Sequence, residues 1–206
     1  MRFGHISSLC AAAVLTTATL SNAALLVNGD FNTDADTNGA PDGWASWSYG
    51  NGWANYVTSP SDSFTKDGSP YVNAGSVWNG GGGWYQDVAA TPGQSFTLSI
   101  DGRTEDWDNS IGYMRIIFRD AGGNTLNGST DQETVANYEK LATWNTYTFA
   151  DQVAPAGTTA VRVEFASYGG TSTFDNAVLT ATPEPASIGL LAFSGLLLKR
   201  RRTAGV

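Results

Sequence analysis

Cysteine and histidine are almost absent: the chain has one of each, Cys10 and His5, both close to its N-terminus. The residues beyond them can form no disulfide among themselves. They also cannot build a Ser/His or Cys/His nucleophilic pair or a histidine-ligated zinc site. Positive charge is nearly as scarce. Between the two ends it is limited to Lys66, Arg103, Arg115, Arg119, Lys140 and Arg162, whereas every Asp and Glu except Glu184 falls in that stretch. A surface of that sign repels nucleic acid and anionic lipid, and suits neutral ligands or cations such as calcium. Long apolar runs are missing from the middle of the chain and occur only at its ends.

Those ends are informative. Residues 1–23 open with Arg2, continue through an apolar stretch from Leu9 to Leu20, and close on the small residues Ser21-Asn22-Ala23. This order of charged region, apolar region and cleavage site predicts a signal peptide cut by signal peptidase after Ala23. An uncleaved anchor is the competing reading, against which the apolar run is shorter than the roughly 20 residues of a spanning helix. Cys10 sits at the start of the run, where a lipoprotein cysteine would follow it. Residues 182–206 contain Pro183-Glu184-Pro185, the uncharged stretch Ala186 to Leu198, and then Lys199-Arg200-Arg201-Arg202. This tail resembles the PEP-CTERM sorting signal of Gram-negative bacteria, which exosortases recognise. As a short hydrophobic helix rising about 1.5 Å per residue, the stretch covers about 20 Å of a roughly 30 Å hydrocarbon core. Snorkelling of the Lys199 and Arg200 stems extends its reach, and the basic cluster is expected on the cytoplasmic side. The resemblance implies transient inner-membrane anchoring, processing near the Pro-Glu-Pro motif, and release to the cell surface or extracellular matrix. A plain C-terminal tail anchor is the other reading.

The intervening residues 24–181 have the length of one domain, able to bury about 70% of the surface its unfolded chain exposes. Alternation with period two marks Gln94–Ile100, Tyr113–Arg119 and Val161–Phe165, and further strands are expected at Leu25–Val27, Trp53–Thr58, Trp84–Val88, Thr143–Phe149 and Thr173–Thr180. Turn clusters separate them: Asn79 to Gly83, Thr91-Pro92-Gly93, and Asp120 to Asn124. The glycine run 80–83 reads as a loop, and not as a phosphate cradle, because no Gly-Lys-Ser/Thr follows. Only Gln132 to Leu141 suggests a turn or two of helix. The pattern predicts an all-β protein, an antiparallel β-sandwich or jelly roll.

Several short motifs carry a second resemblance. They are Leu26-Val27-Asn28-Gly29-Asp30-Phe31, Pro41-Asp42-Gly43-Trp44, Trp84-Tyr85-Gln86-Asp87-Val88 with Pro92-Gly93, and the closing Thr173-Phe174-Asp175-Asn176-Ala177-Val178. Together they resemble the galactose-binding-like jelly-roll modules of the CBM4/9/22 carbohydrate-binding type. That resemblance implies two stacked antiparallel sheets, a concave face for glycan chains, and a structural calcium where first and last strands meet, near Asp30 and Asp175. Asn32 stands where the family usually has an acid. A second calcium cue lies in Asp34-Ala35-Asp36-Thr37-Asn38-Gly39 with Asp42, which places oxygen donors at alternate positions before a glycine, like the first half of an EF-hand loop. The bidentate acid of such a loop is replaced by Ala45, and Asp-Asn-Gly clusters are also ordinary turn formers.

All seven tryptophans and eight tyrosines lie in the 24–181 stretch. Sugar rings present C–H faces to indole and phenol rings, and sites of this kind add a few placed polar groups. A sandwich without disulfides also needs aromatic core, so about half the rings are expected inside. Those beside glycine in loops are the candidates for glycan contact: Trp47, Tyr49, Trp53, Trp78 and Trp107. The acids Glu105, Asp106 and Asp108 flank Trp107, but glycosidases need two carboxyls at a set separation with one pKa raised, and adjacent acids in a turn are ordinarily solvated. The sequence therefore points to an exported, non-catalytic carbohydrate-binding protein with extracellular polysaccharide as partner. A structural or adhesive matrix component without a defined glycan, and a polysaccharide hydrolase or lyase, are the alternatives.

Overall fold

A computed structural model describes residues 24–58, 66–104, 111–126, 130–133 and 143–182. The signal-peptide region, the Pro-Glu-Pro tail, Trp107 with its neighbouring acids, and most of the Gln132–Leu141 segment lie outside these residues. Within them the chain is all β: β1 Ala45–Tyr49, β2 Gly52–Val57, β3 Tyr71–Ala89, β4 Ser95–Thr104, β5 Ile111–Arg119, β6 Thr130–Glu133, β7 Asn145–Val153 and β8 Ala160–Thr182. Gln132 and Glu133, expected at the start of a helical turn, are in strand β6.

All the ladders are antiparallel. The long strands β3 and β8 pair along almost their whole length, with a register shift between Ser76 and Gly81. On one side of this shift, β1 joins β3 and β5 joins β8, with β6 beyond β5. On the other side, β2 joins β3 and β4 joins β8, with β7 beyond β4. The two long strands thus bend from one layer of a sandwich into the other. The bend is made by Gly169 and Gly170, at φ 63° and 122°, and Gly169 N–H donates to Ser76 Oγ at 2.9 Å. The architecture is the antiparallel jelly-roll sandwich that the alternating strands predict.

Alternation decides which residues enter the space between the layers. In β5 Met114, Ile116 and Phe118 are buried, and in β8 Val161, Val163 and Phe165; the facing layer supplies Phe96, Leu98, Ile100, Val72 and Phe174. Phe165 meets Phe174 across the gap with centroids 5.6 Å apart, and Phe96 meets Phe118 at 5.9 Å. Each such side chain contributes on the order of 1.5–3 kcal/mol by leaving water.

Three expectations need correction. Leu25–Val27 is not a strand: the chain turns there, Asn28 and Phe31 have φ near +50°, and Val27 exchanges both backbone bonds with the Gln86 side-chain amide. The motif instead closes one side of the core, with Phe31 and Trp44 buried and the Trp44 indole N–H shared between the Val27 and Asn28 carbonyls. The glycine run 80–83 is not a loop but the middle of β3. Its residues are glycine because neighbouring chains pass too close for side chains: a Cβ on Gly82 would lie 1.9 Å from the Trp53 carbonyl oxygen. Finally, Val161–Phe165 and Thr173–Thr180 are not separate strands but parts of β8, since the Gly169-Gly170 corner bends the strand without ending it.

Candidate functional site

The outer face of the layer formed by β1, β3, β8 and β5 carries a group of aromatic and charged side chains in register. Cross-strand pairing sets Tyr49 beside Gly81 and Tyr168, Trp47 beside Gly83 and Ala166, and Tyr85 beside Glu164 and Arg115. Tyr113, two residues before Arg115, pairs with Ala166. Trp47 and Tyr49 stack with centroids 6.1 Å apart and planes 9° from parallel. Tyr168 packs against both, at 6.1 and 6.3 Å, and Tyr113 meets Tyr168 edge-on at 5.1 Å. Such ring pairs contribute about 0.5–1.5 kcal/mol each beyond area burial, so the four rings hold one another in place.

The glycines under the rings have a specific purpose. A Cβ on Gly81 would come within 2.4 Å of the Tyr168 ring, and one on Gly83 within 2.8 Å of the Trp47 indole. Absence of side chains on β3 lets the rings lie down on the sheet. Tyr49, 54% exposed, ends the row toward solvent.

Charged groups border the rings. The Arg115 guanidinium lies 5.4 Å from the Tyr113 centroid and 5.8 Å from that of Tyr168, donating to Glu164 Oε1 at 3.1 Å and to Tyr168 Oη at 3.2 Å. Burial is the main cause that pushes the Tyr168 phenol above its ordinary pKa. One row further along, Arg162 stacks 3.7 Å from the Tyr85 centroid and binds Asp87 through two bonds of 2.7 Å. That bidentate pair holds the Asp87 carboxyl below the usual range and the arginine above its own. The face thus offers apolar rings for C–H surfaces beside guanidinium donors and carboxylate acceptors for hydroxyls.

Of the aromatic residues singled out in the sequence, Trp47 and Tyr49 meet here, on strand β1 and not in a loop. Trp53 is on β2 in the other layer, its ring over Gly75, and does not join them. Trp78 lies in β3 where the strand passes between layers. Sequence reasoning missed Tyr85, Tyr113, Arg115, Glu164 and Tyr168. The phase of alternation held the signal for three of them: Met114, Ile116, Val163 and Phe165 point inward, so Tyr113, Arg115 and Glu164 must point out.

The six expected calcium ligands separate into groups. Carboxylate oxygens of Asp34, Asp36 and Asp42 lie within 4.8 Å of one another. Asp34 accepts from the backbone N–H groups of Asn38 and Gly39, and Asp42 from that of Ala35. The Asn38 side chain donates to Asp36 and its carbonyl accepts from Ala40 N–H. This all-oxygen set of three carboxylates fits a hard cation such as calcium. Asp30 sits beside this loop and bonds Asn32. Asp175 does not join them: it is 1% exposed on the outer face of the β4–β8 layer, bonded to Ser69 and Asn176 N–H. The ends of the domain do meet, through Ala177 N–H to Gly29 carbonyl at 2.7 Å.

No protein-family model matches the chain, and no curated protein matches it. Among solved structures it is similar to the enzymatically active domain of tailspike protein 4 from bacteriophage CBA120, with 16% identity and a TM-score of 0.58 over 77% of this chain and 21% of that one. It is also similar to the CBM22-1 xylan-binding domain of Paenibacillus barcinonensis Xyn10C, with 13% identity and a TM-score of 0.54, covering 82% of this chain and 100% of that domain. The CBM22-1–CBM22-2 tandem of the same protein matches with 14% identity and a TM-score of 0.53, this chain spanning 49% of its length. At these identities the likeness shows the fold alone: an antiparallel jelly roll that this chain shares with those domains.

Proposed function

We propose that the chain is a non-catalytic glycan-binding protein, exported and sorted to the cell surface or matrix, and that it binds polysaccharide on the Trp47–Tyr49–Tyr168–Tyr113 face. The observation that carries this reading is the cluster of four mutually packed rings over Gly81 and Gly83, flanked by the Arg115–Glu164 pair. Rings already held against one another lose little rotamer freedom on binding, which is the main cost of ordering an interface. The Asp87 carboxylate of the face sits in a bidentate pair with Arg162 that holds its pKa down, unlike the raised-pKa acid of a glycosidase, and Glu164 accepts from Arg115. A fold shared with a xylan-binding domain makes neutral β-linked polysaccharides the first ligands to test.

Export rests on the signal-peptide pattern of residues 1–23, and sorting by an exosortase on Pro183-Glu184-Pro185 with its apolar and basic sequel. We assign calcium to Asp34, Asp36 and Asp42 as a loop-ordering ion.

A glycan array and titration calorimetry on the purified chain test the binding. Trp47→Ala and Tyr168→Ala are each expected to weaken it by about 2 kcal/mol, roughly 30-fold in Kd, with the fold retained by circular dichroism. A folded protein that binds no polysaccharide on the array refutes glycan recognition and leaves a structural or adhesive role in the matrix.

A further inference from the structure

On the opposite side of the sandwich, the outer face of the β4–β8 layer holds a set of groups that glycan binding does not use. Asp101 of β4 is 6% exposed and pairs across the ladder with Asp175 of β8. Its carboxylate accepts from Lys66 Nζ, from Thr146 Oγ1 and from Asn176 Nδ2 at 3.0 Å. The segment bearing Lys66 lies over this face, and its Ser69 Oγ donates to Asp175 at 3.2 Å. The side chains of Lys66 and Asp101 are 28% and 9% exposed. An amine, a carboxyl it touches and a second, buried carboxyl paired with the first across the ladder are therefore gathered in one place, with the amine still partly open to solvent.

We propose that Lys66 and Asp101 condense to an intramolecular amide cross-link, with Asp175 as the acid that relays the protons. The step balances without any other reagent. A proton passes from the Lys66 ammonium to the Asp101 carboxylate, giving neutral amine and neutral acid, a transfer that burial of Asp101 favours and its hydrogen bonds oppose. The amine nitrogen attacks Cγ of Asp101, forming the N–C bond. The Cγ–O bond then breaks, the departing hydroxyl takes a proton from the Asp175 carboxylic acid, and water leaves. The nitrogen's surplus proton returns to Asp175, which ends unchanged. Such an acid must hold its proton part of the time near neutrality, and burial, the largest cause, pushes Asp175 up to about 6. Asn176 Nδ2, bonded to the Asp101 oxygen, is placed to stabilise negative charge growing there. Two facts oppose the reaction before it starts: the ion pair raises the Lys66 pKa and lowers that of Asp101. Proton transfer within the pair is therefore the step that Asp175 and desolvation must assist. The product would join the segment before β3 to β4 and close a loop between positions 35 residues apart. A domain unable to form disulfides would gain the same kind of constraint on its unfolded chain.

Intact-mass spectrometry and protease mapping of the purified, denatured full chain test this. The linked protein is lighter by one water. Trypsin fails to cut after Lys66, and a protease cutting between residues 67 and 100 leaves two peptides joined through Lys66 and Asp101. Lys66→Arg and Asp175→Ala are expected to restore the linear mass, allowing for each substitution. Asp101→Asn provides the control for folding, because it reaches the same linked product by releasing ammonia in place of water. A folded wild-type protein of linear mass, cut normally after Lys66, shows an ion pair only and overturns the proposal. So does a water loss that maps to Thr146, or one that persists in Asp175→Ala.

Discussion

Tyr168 lies against Gly81 across the β3–β8 ladder, so close that a methyl group on the glycine would stand 2.4 Å from the ring. The atoms a Gly81 Cβ would meet belong to the Tyr168 and Tyr49 side chains and not to backbone. Gly81→Ala should therefore leave the sandwich folded and displace the rings. The expected result is a glycan affinity reduced about tenfold with unfolding free energy lowered by about 1–3 kcal/mol. Calorimetric titration beside urea denaturation checks both halves, and equal affinity in the variant would show that the ring positions do not matter.

Calcium should stabilise the chain by mass action if Asp34, Asp36 and Asp42 hold it. At a concentration about 100 times its Kd the gain is about 2.7 kcal/mol, read as a rise in Tm that a chelator reverses. Asp34→Asn and Asp42→Asn should each abolish most of that rise, whereas Asp175→Asn should leave it intact. A Tm indifferent to calcium in the wild type would reduce the loop to a solvated turn.

Asp175 gives stability an unusual pH slope. Its folded pKa, about 6, lies above that of an unfolded aspartate near 3.9. The native state thus binds the extra proton between those values, and stability falls as pH rises through this window. The loss is on the order of 3 kcal/mol and complete above about pH 6. Asp87 is shifted the other way, so its stabilisation is present above the unfolded pKa and is lost as pH drops through its lower folded value; Asp101 follows it only in chains where it is not linked to Lys66. Comparing the pH slope of wild type with Asp175→Asn isolates the first effect. A variant with an unchanged slope between pH 4 and 6 would contradict it. The sign survives condensation of Lys66 with Asp101, because burial is the largest cause of the shift.

Much of the fold was legible because burial alternates so regularly. Phe96, Leu98 and Ile100, or Met114, Ile116 and Phe118, leave a strand no choice of face. The glycines were misread for an instructive reason. Gly80 to Gly83 look like a turn when judged alone, since nothing local shows that Trp47, Tyr49, Trp53 and Tyr168 will press on them from other strands. The same blindness to distant partners explains the candidate site: Trp47 and Tyr49 could be picked by their chemistry, but Tyr168 joins them only through pairing of β8 with β3. Nothing in the Thr173–Val178 motif shows that Asp175 will meet Asp101 and Lys66; pairing of β8 with β4 brings them together.

The continuity of β3 and β8 through both layers also bears on how the domain would yield to force. β8 is clasped by β3 on one edge and by β5 and then β4 on the other. A pull along its axis loads hydrogen bonds in both layers at once, and neither layer can peel away while its companion holds. The domain would behave under tension as one unit, failing late and all together.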